Sequence, residues 1–259
     1  MLVDDGHLSG KEGALTSLQP DPAKFPTGWA NLIARKHDDR IKWMGLWLCH
    51  TGWWTCIAPE NQLGDELNSH MTKIWWGPLQ PGEDYLDATA FYDAMMDYNR
   101  RAGFNFVKVD NQTYKIASFE KSPRAVFAAC NHGQALEAGA GRNMNGLINC
   151  MAHNATTVLN TRLSAVSRCS EDYLLADEFR AKAHLHNSFT NILWMGQTVW
   201  GDHDMFHSCD SFAAKEMSLS KALSGAPVYL SDAPKEFIPG VITPLCFEYG
   251  ELLRPLAPA

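Results

Sequence analysis

The chain has 259 residues, 46% of them hydrophobic and 20% charged, which is enough apolar material for one large core and excludes disorder as its default state. A net charge of −7 excludes a polyanionic partner such as nucleic acid, which needs clustered Lys and Arg. No run approaches the 18 apolar residues of a membrane span, and Asp4-Asp5 makes the start acidic where a secretory signal is basic. Together with seven scattered cysteines, odd in number and without a C-x-x-C pair, this predicts a cytoplasmic protein with reduced thiols.

In chain order, short β-type runs are predicted at 2–4, 43–49, 104–110, 146–150, 164–168, 198–204 and 227–231. Between them, Thr27 is a candidate cap for a helix running through Lys36. Residues 85–101 place Phe91, Met95 and Tyr98 at helical spacing before Gly103, and 186–197 reads as an apolar helix. The Pro-rich stretches 18–26 and 78–83 are expected to be loops. Strands alternating with helices predict an α/β fold, with 1–259 as a single domain. The candidate strands finish on polar residues, among them Asp4, His50, Asp110, Asn149, Arg168, Asp204 and Ser231, as expected where an α/β barrel collects its chemistry.

Four segments are rich in reactive groups. In 106–112, Val107 and Val109 share one face of a strand and Lys108 and Asp110 the other, so a cation beside Asp110 keeps the carboxylate ionised, as a nucleophile requires. The competing reading is a surface ion pair on an edge strand. In 167–173 a strand end runs into Glu171 and Asp172; adjacent carboxylates raise each other's pKa, which suits a general acid. The same residues also fit a helix N-terminus capped by Ser170. In 196–207, Asp202, His203, Asp204 and His207 have the chemistry of metal ligands, as do His184 and His186, but they lack Cys partners and a helical H-x-x-x-H spacing, so no metal is expected. The fourth, 45–54, holds Trp47, Trp53 and Trp54 and suits either a sugar-stacking wall or an ordinary aromatic core.

Read together, VKVDNQ at 107–112, RCSEDY at 168–173, NSFTNILWMGQTVWGDHDMFHS at 187–208 and ALSGAPVYLSD at 222–232 resemble the raffinose synthase and alkaline α-galactosidase (seed imbibition protein) branch of glycoside hydrolase family 36. The resemblance covers nearly the whole chain. It implies a (β/α)8 TIM-type barrel and retaining double-displacement chemistry on α-galactoside oligosaccharides, without a cofactor. By motif, it makes Asp110 the nucleophile and Asp172 the acid/base, with Glu171 as the alternative for the second role. Lys108 and Arg168 would bind the galactosyl unit, and Asp4 and Asp5 would form a hydroxyl-binding pair. Trp47, Trp54, Trp200, Asp202 and Asp204 would line the same site.

The sequence departs from the family pattern at His7, where a Trp usually follows, at Glu171, where an Asp is usual, and through 233–237. With water as acceptor the reading is an α-galactosidase, and with a sugar hydroxyl it is a galactosyltransferase of raffinose-synthase type. A carbohydrate-binding fragment with weak turnover is the third reading, and a metal-dependent hydrolase around His203 is a rival from another class. Counting seven strand candidates against the family's eight predicts an incomplete barrel, lacking the first strand unit and the flanking β domains. Exposed strand edges, low solubility and weak activity are expected to follow.

Overall fold

The structure is a computed structural model and describes residues 1–257. The chain divides into two compact units, one formed by residues 1–150 and 154–164 and the other by 151–153 and 165 onward. No described helix is long and apolar enough to cross a membrane. All seven cysteines are free.

The first unit contains strands β1 (Leu2–Val3), β2 (Leu8–Lys11), β3 (Ala14–Pro20), β4 (Gly45–Cys49), β5 (Met71–Lys73), β6 (Leu79–Pro81), β7 (Phe106–Asp110) and β8 (Gly146–Asn149). Its helices are α1 (Ala30–Asp38), α2 (Asp65–Asn68), α3 (Tyr85–Ala102), α4 (Gln112–Lys115), α5 (Ala125–Asn143) and α6 (Ala155–Asn160). β1, β4, β7 and β8 pair in that order, all parallel. β4 is buried at every position, as expected of a strand covered on both faces. β7 lies between β4 and β8, so Lys108 and Asp110 are buried on a central strand, which removes the edge-strand reading. α3 buries Phe91, Tyr92, Met95 and Met96 and packs along α5. Gly103 ends α3 with φ 111°, the left-handed cap its position predicts.

The sequence reading needs correction at several elements here. α1 starts at Ala30 with Trp29 in the cap position and no side-chain cap bond, so Thr27 does not cap it. α5 was not predicted; its buried face mixes Ala128, Ala135, Gly139 and Ala140 with His132, Leu136 and Glu137, and Gly139 lets α3 approach closely at Tyr92. The 18–26 stretch begins inside β3, and 78–83 contains β6; both belong to two-stranded antiparallel ladders.

The second unit contains β9 (Val166–Arg168), α7 (Glu178–Met195), β10 (Trp200–Asp202), α8 (Ala214–Ser224) and α9 (Pro239–Ile242). β9 and β10 pair in parallel from Trp200↔Val166 to Asp202↔Arg168. α7 starts eight residues earlier than predicted, at Glu178, where the Asp177 side chain accepts from the Arg180 N–H. Residues 227–231 do not form a strand: Pro227 has no N–H to give to a ladder, and a single parallel bridge joins Leu230 to Phe206. Tyr173, Ala181, Phe206, Ala213 and Met217 form the core of this unit. Parallel strands each connected through a helix, in both units, constitute a partial (β/α)8 barrel fold.

Candidate active site

The carboxyl ends of the parallel strands carry the candidate chemistry. β1 leads into Asp4-Asp5, β4 into His50, β7 ends on Asp110, β9 on Arg168 and β10 on Asp202.

In the first unit, Asp110 accepts the Trp47 indole N–H at 2.9 Å on one oxygen and the Asn111 backbone N–H at 2.5 Å on the other. Asn111 has φ 65°, and this turn aims its N–H back at the carboxylate. Gln112 supports the turn by donating to the Val109 carbonyl and to Asn149 Oδ1. Lys108 Nζ lies 3.7 Å from Asp4 Oδ2. Asp5 takes a different role from Asp4: its two oxygens accept the indole N–H groups of Trp53, at 3.0 Å, and Trp54, at 2.7 Å. The Trp54 ring stands 5.4 Å from that of buried Trp47, and Lys115 secures the segment by donating to the Trp54 carbonyl. Trp54 remains 46% exposed, an aromatic face open to a ligand. His7 packs on Trp29 at 5.4 Å, and burial lowers its pKa.

In the second unit, Arg168 is fully buried and bridges two acids, Asp172 Oδ1 at 2.5 Å and Asp204 Oδ1 at 2.8 Å. Asp172 projects outward with 62% of its side chain exposed, whereas Asp204 is buried. Glu171 turns instead toward Arg180, 3.6 Å away on the first turn of α7. Residues 170–177 are not helical, so the capped N-terminus reading of Ser170, Glu171 and Asp172 fails.

Asp202 accepts the Tyr229 hydroxyl at 2.8 Å and the Asp204 N–H at 2.9 Å, and Asp204 accepts the Tyr173 N–H at 3.0 Å. Lys221 is buried near both acids and donates to the His203 carbonyl; burial lowers its pKa to about 8. His184 bridges the carbonyls of Glu171 and His203 through its two ring nitrogens. His184 is thus committed to structural bonds, and His203 meets Ser220 Oγ at 2.5 Å through Nδ1 while its Nε2 is buried without a hydrogen-bond partner among the described residues. Trp200 packs over Gly225, where an added Cβ would lie 2.4 Å from the indole.

Sequence reasoning missed Lys115, Tyr229 and Lys221 in these clusters, and it named Trp53 without its bond to Asp5. Tyr229 lay inside the quoted block 222–232, and Trp53 beside Trp54, but nothing local marks their partners 27 and 48 residues away.

Among known proteins, a family model described as "Raffinose synthase or seed imbibition protein Sip1" matches residues 83–259. Probable galactinol–sucrose galactosyltransferase 1 of Arabidopsis thaliana is 27% identical over 86% of this chain and 32% of its own length. Stachyose synthase of Pisum sativum is 29% identical over 78% of this chain and 27% of its own. The chain therefore spans about a third of the curated relatives it matches. A solved α-galactosidase from Thermus thermophilus, in complex with stachyose, superimposes with a TM-score of 0.62 at 21% identity, covering 93% of this chain and 56% of that one. A β-L-arabinopyranosidase from Geobacillus stearothermophilus gives 0.63 at 14% identity, with 93% and 65% covered. At these identities the two structures show the shared fold.

Proposed function

Because the chain belongs to the raffinose synthase or seed imbibition protein Sip1 family, we propose that residues 1–259 act as the catalytic domain of a retaining α-galactosyltransferase that moves galactose from an α-galactoside donor to a sugar hydroxyl. The observation that carries this reading is the state of Asp110. It is a buried carboxylate at the end of a central strand, fixed by an indole N–H and a backbone N–H. Oriented in this way, it is suited to nucleophilic attack on an anomeric carbon.

Asp110 forms the C–O bond to galactose as the glycosidic bond breaks, and Asp172 gives its proton to the departing oxygen. Asp172 then takes the proton of the incoming hydroxyl, which displaces Asp110, and two inversions leave the α configuration. Lys108 and Asp4 supply polar contacts for hydroxyls, with exposed Trp54 as the stacking face and Asp5 as its clamp; Trp47, buried, orients Asp110 rather than stacking on a sugar, which corrects its expected lining role. Arg168 holds Asp172 in place and is itself paired with buried Asp204, whose N–H donates to Asp202. Glu171, drawn off to Arg180, is the poorer acid candidate.

Transfer is favoured over the hydrolysis first expected from the sequence, since curated relatives carry names for galactosyl transfer from galactinol to sucrose. Seven free cysteines support action in a reducing, cytoplasmic compartment. The test is product analysis after incubation with galactinol, with and without sucrose. An α-linked trisaccharide that dominates over free galactose supports transfer; free galactose alone makes the enzyme a hydrolase; a β-linked product contradicts the double displacement.

A further inference from the structure

The loop after β10 assembles three side chains that the galactosyl chemistry does not use. His207, Cys209 and Asp232 each place a donor atom within 4.8 Å of the other two, and all three are partly buried. They come from two stretches that the bridge between Phe206 and Leu230 holds in register, with the Ser231 N–H donating to the Phe206 carbonyl at 3.0 Å.

Asp232 is firmly oriented: one oxygen accepts the Ser208 N–H at 2.9 Å, the other the Ser208 hydroxyl at 2.6 Å and the Cys209 N–H at 3.1 Å. An ionised carboxylate has about four lone-pair positions, and the one these bonds leave is met by the Cys209 thiol, whose proton a metal ion would replace. His207 Nδ1 is buried and has no hydrogen-bond partner among the described residues, whereas buried ring nitrogens are normally bonded. Capping of the 208–209 turn and the Cys209 thiol account for Asp232, but neither gives a reason for the imidazole of His207 to converge on the same carboxylate with its Nδ1 unbonded.

We propose that His207, Cys209 and Asp232 form a binding site for one divalent transition-metal ion of the zinc class, with a fourth position for water. The donor set decides the class. Calcium and magnesium take all-oxygen shells, whereas nitrogen, thiolate and carboxylate together suit zinc. Zinc bonds of about 2.0–2.3 Å put tetrahedral ligands roughly 3.3–3.8 Å apart, so shifts of about 1 Å close the cluster. The bonds to Asp232 from Ser208 and Cys209 are the outer contacts that orient a metal-bound carboxylate. The thiol proton leaves to solvent as the sulfur–metal bond forms.

The metal's role here is a clip. It ties the 207–210 loop, whose Asp210 accepts the Tyr173 hydroxyl, to the segment ending at Asp232. Tyr173 directly follows Asp172, so the clip stiffens the support of that loop and takes no part in bond breaking. The sequence alone predicts no metal, for want of Cys partners and of a helical H-x-x-x-H spacing; Cys209, two residues beyond His207, supplies a Cys partner.

The test uses the whole metal-free chain titrated with Co(II), which absorbs strongly when bound to thiolate, followed by displacement with Zn(II). One equivalent of cobalt should produce a thiolate charge-transfer band that zinc removes. Cys209→Ala, which spares the Asp232 bonds to backbone, should abolish the band while the melting temperature of the metal-free protein is unchanged. His207→Gln should weaken cobalt binding at least tenfold. Zinc at about 100-fold over its dissociation constant should raise the wild-type melting temperature by about 5 °C and leave Cys209→Ala unmoved. No thiolate band in the wild type, a band undiminished in Cys209→Ala, or a wild-type melting temperature insensitive to zinc would each overturn the proposal.

Discussion

Asp4 and Asp5 are adjacent in sequence, yet they serve different partners. The resemblance makes them one hydroxyl-binding pair, but the geometry gives Asp4 to Lys108 and Asp5 to the two indoles. In the proposed site Asp5 would act on a sugar through Trp54, so Asp5→Ala should raise KM about tenfold while kcat falls less than threefold, because stacking is lost and the carboxylate chemistry is not. Steady-state kinetics with an aryl α-galactoside decide this, and a large kcat loss at constant KM would show that Asp5 acts directly. Lys221 has a different signature. Burial lowers its ammonium from 10.5 to about 8, so between these values the unfolded chain holds a proton that the folded chain has released. The unfolding free energy therefore rises with pH across about 8–10.5 by this group's contribution. Lys221→Met should flatten that rise in urea melts, and identical slopes in variant and wild type would assign it elsewhere. Motif recognition found both candidate carboxylates and Arg168, but it could not find Lys221 or Tyr229. Their positions follow from helix and strand packing, which no local spacing encodes.

Elements with a strong period were the readable ones. α3 was predicted nearly to its ends, because Phe91, Met95 and Tyr98 mark one face and Gly103 stops it. α5 has no such contrast, since its buried face is largely alanine and glycine and the signal lies in fit against α3 rather than in hydrophobicity. β2 and β3 escaped notice because Pro20 ends the ladder within a stretch whose prolines read as a loop. At β10 the close approach of α7 sets a sharper constraint: a Cβ on Gly201 would lie 2.7 Å from both Cys169 Sγ and Ile192 Cδ1. Gly201→Ala should accordingly cost about 1–3 kcal/mol of stability through overpacking. A shift in the urea midpoint measures it, and a neutral substitution would mean that α7 can move away from β10 freely. α7 is capped by Asp177 rather than Ser170 because the Asp177 carboxylate takes the Arg180 N–H, leaving Glu171 and Asp172 on irregular backbone.

Across the molecule, alternation of strand and helix and the polar residues at strand ends were both visible in the sequence, because a parallel sheet imposes them on every repeat. The seventh candidate strand was not real, since an apolar run next to a proline carries no information about whether a ladder partner exists. The chain spans about a third of the length of its curated relatives, and its catalytic proposal centres on one carboxylate. Asp172→Ala provides a supporting check: activated aryl galactosides should still react, azide should restore turnover, and equal loss on all donors would deny Asp172 the acid role. The direct measurement is covalent trapping with a fluorinated α-galactosyl fluoride that forms the glycosyl-enzyme quickly and releases it slowly, followed by peptide mass mapping. The account predicts one galactosyl ester, located on Asp110 and absent from Asp110→Asn. An adduct on any other residue, or none with the wild-type chain, would contradict it.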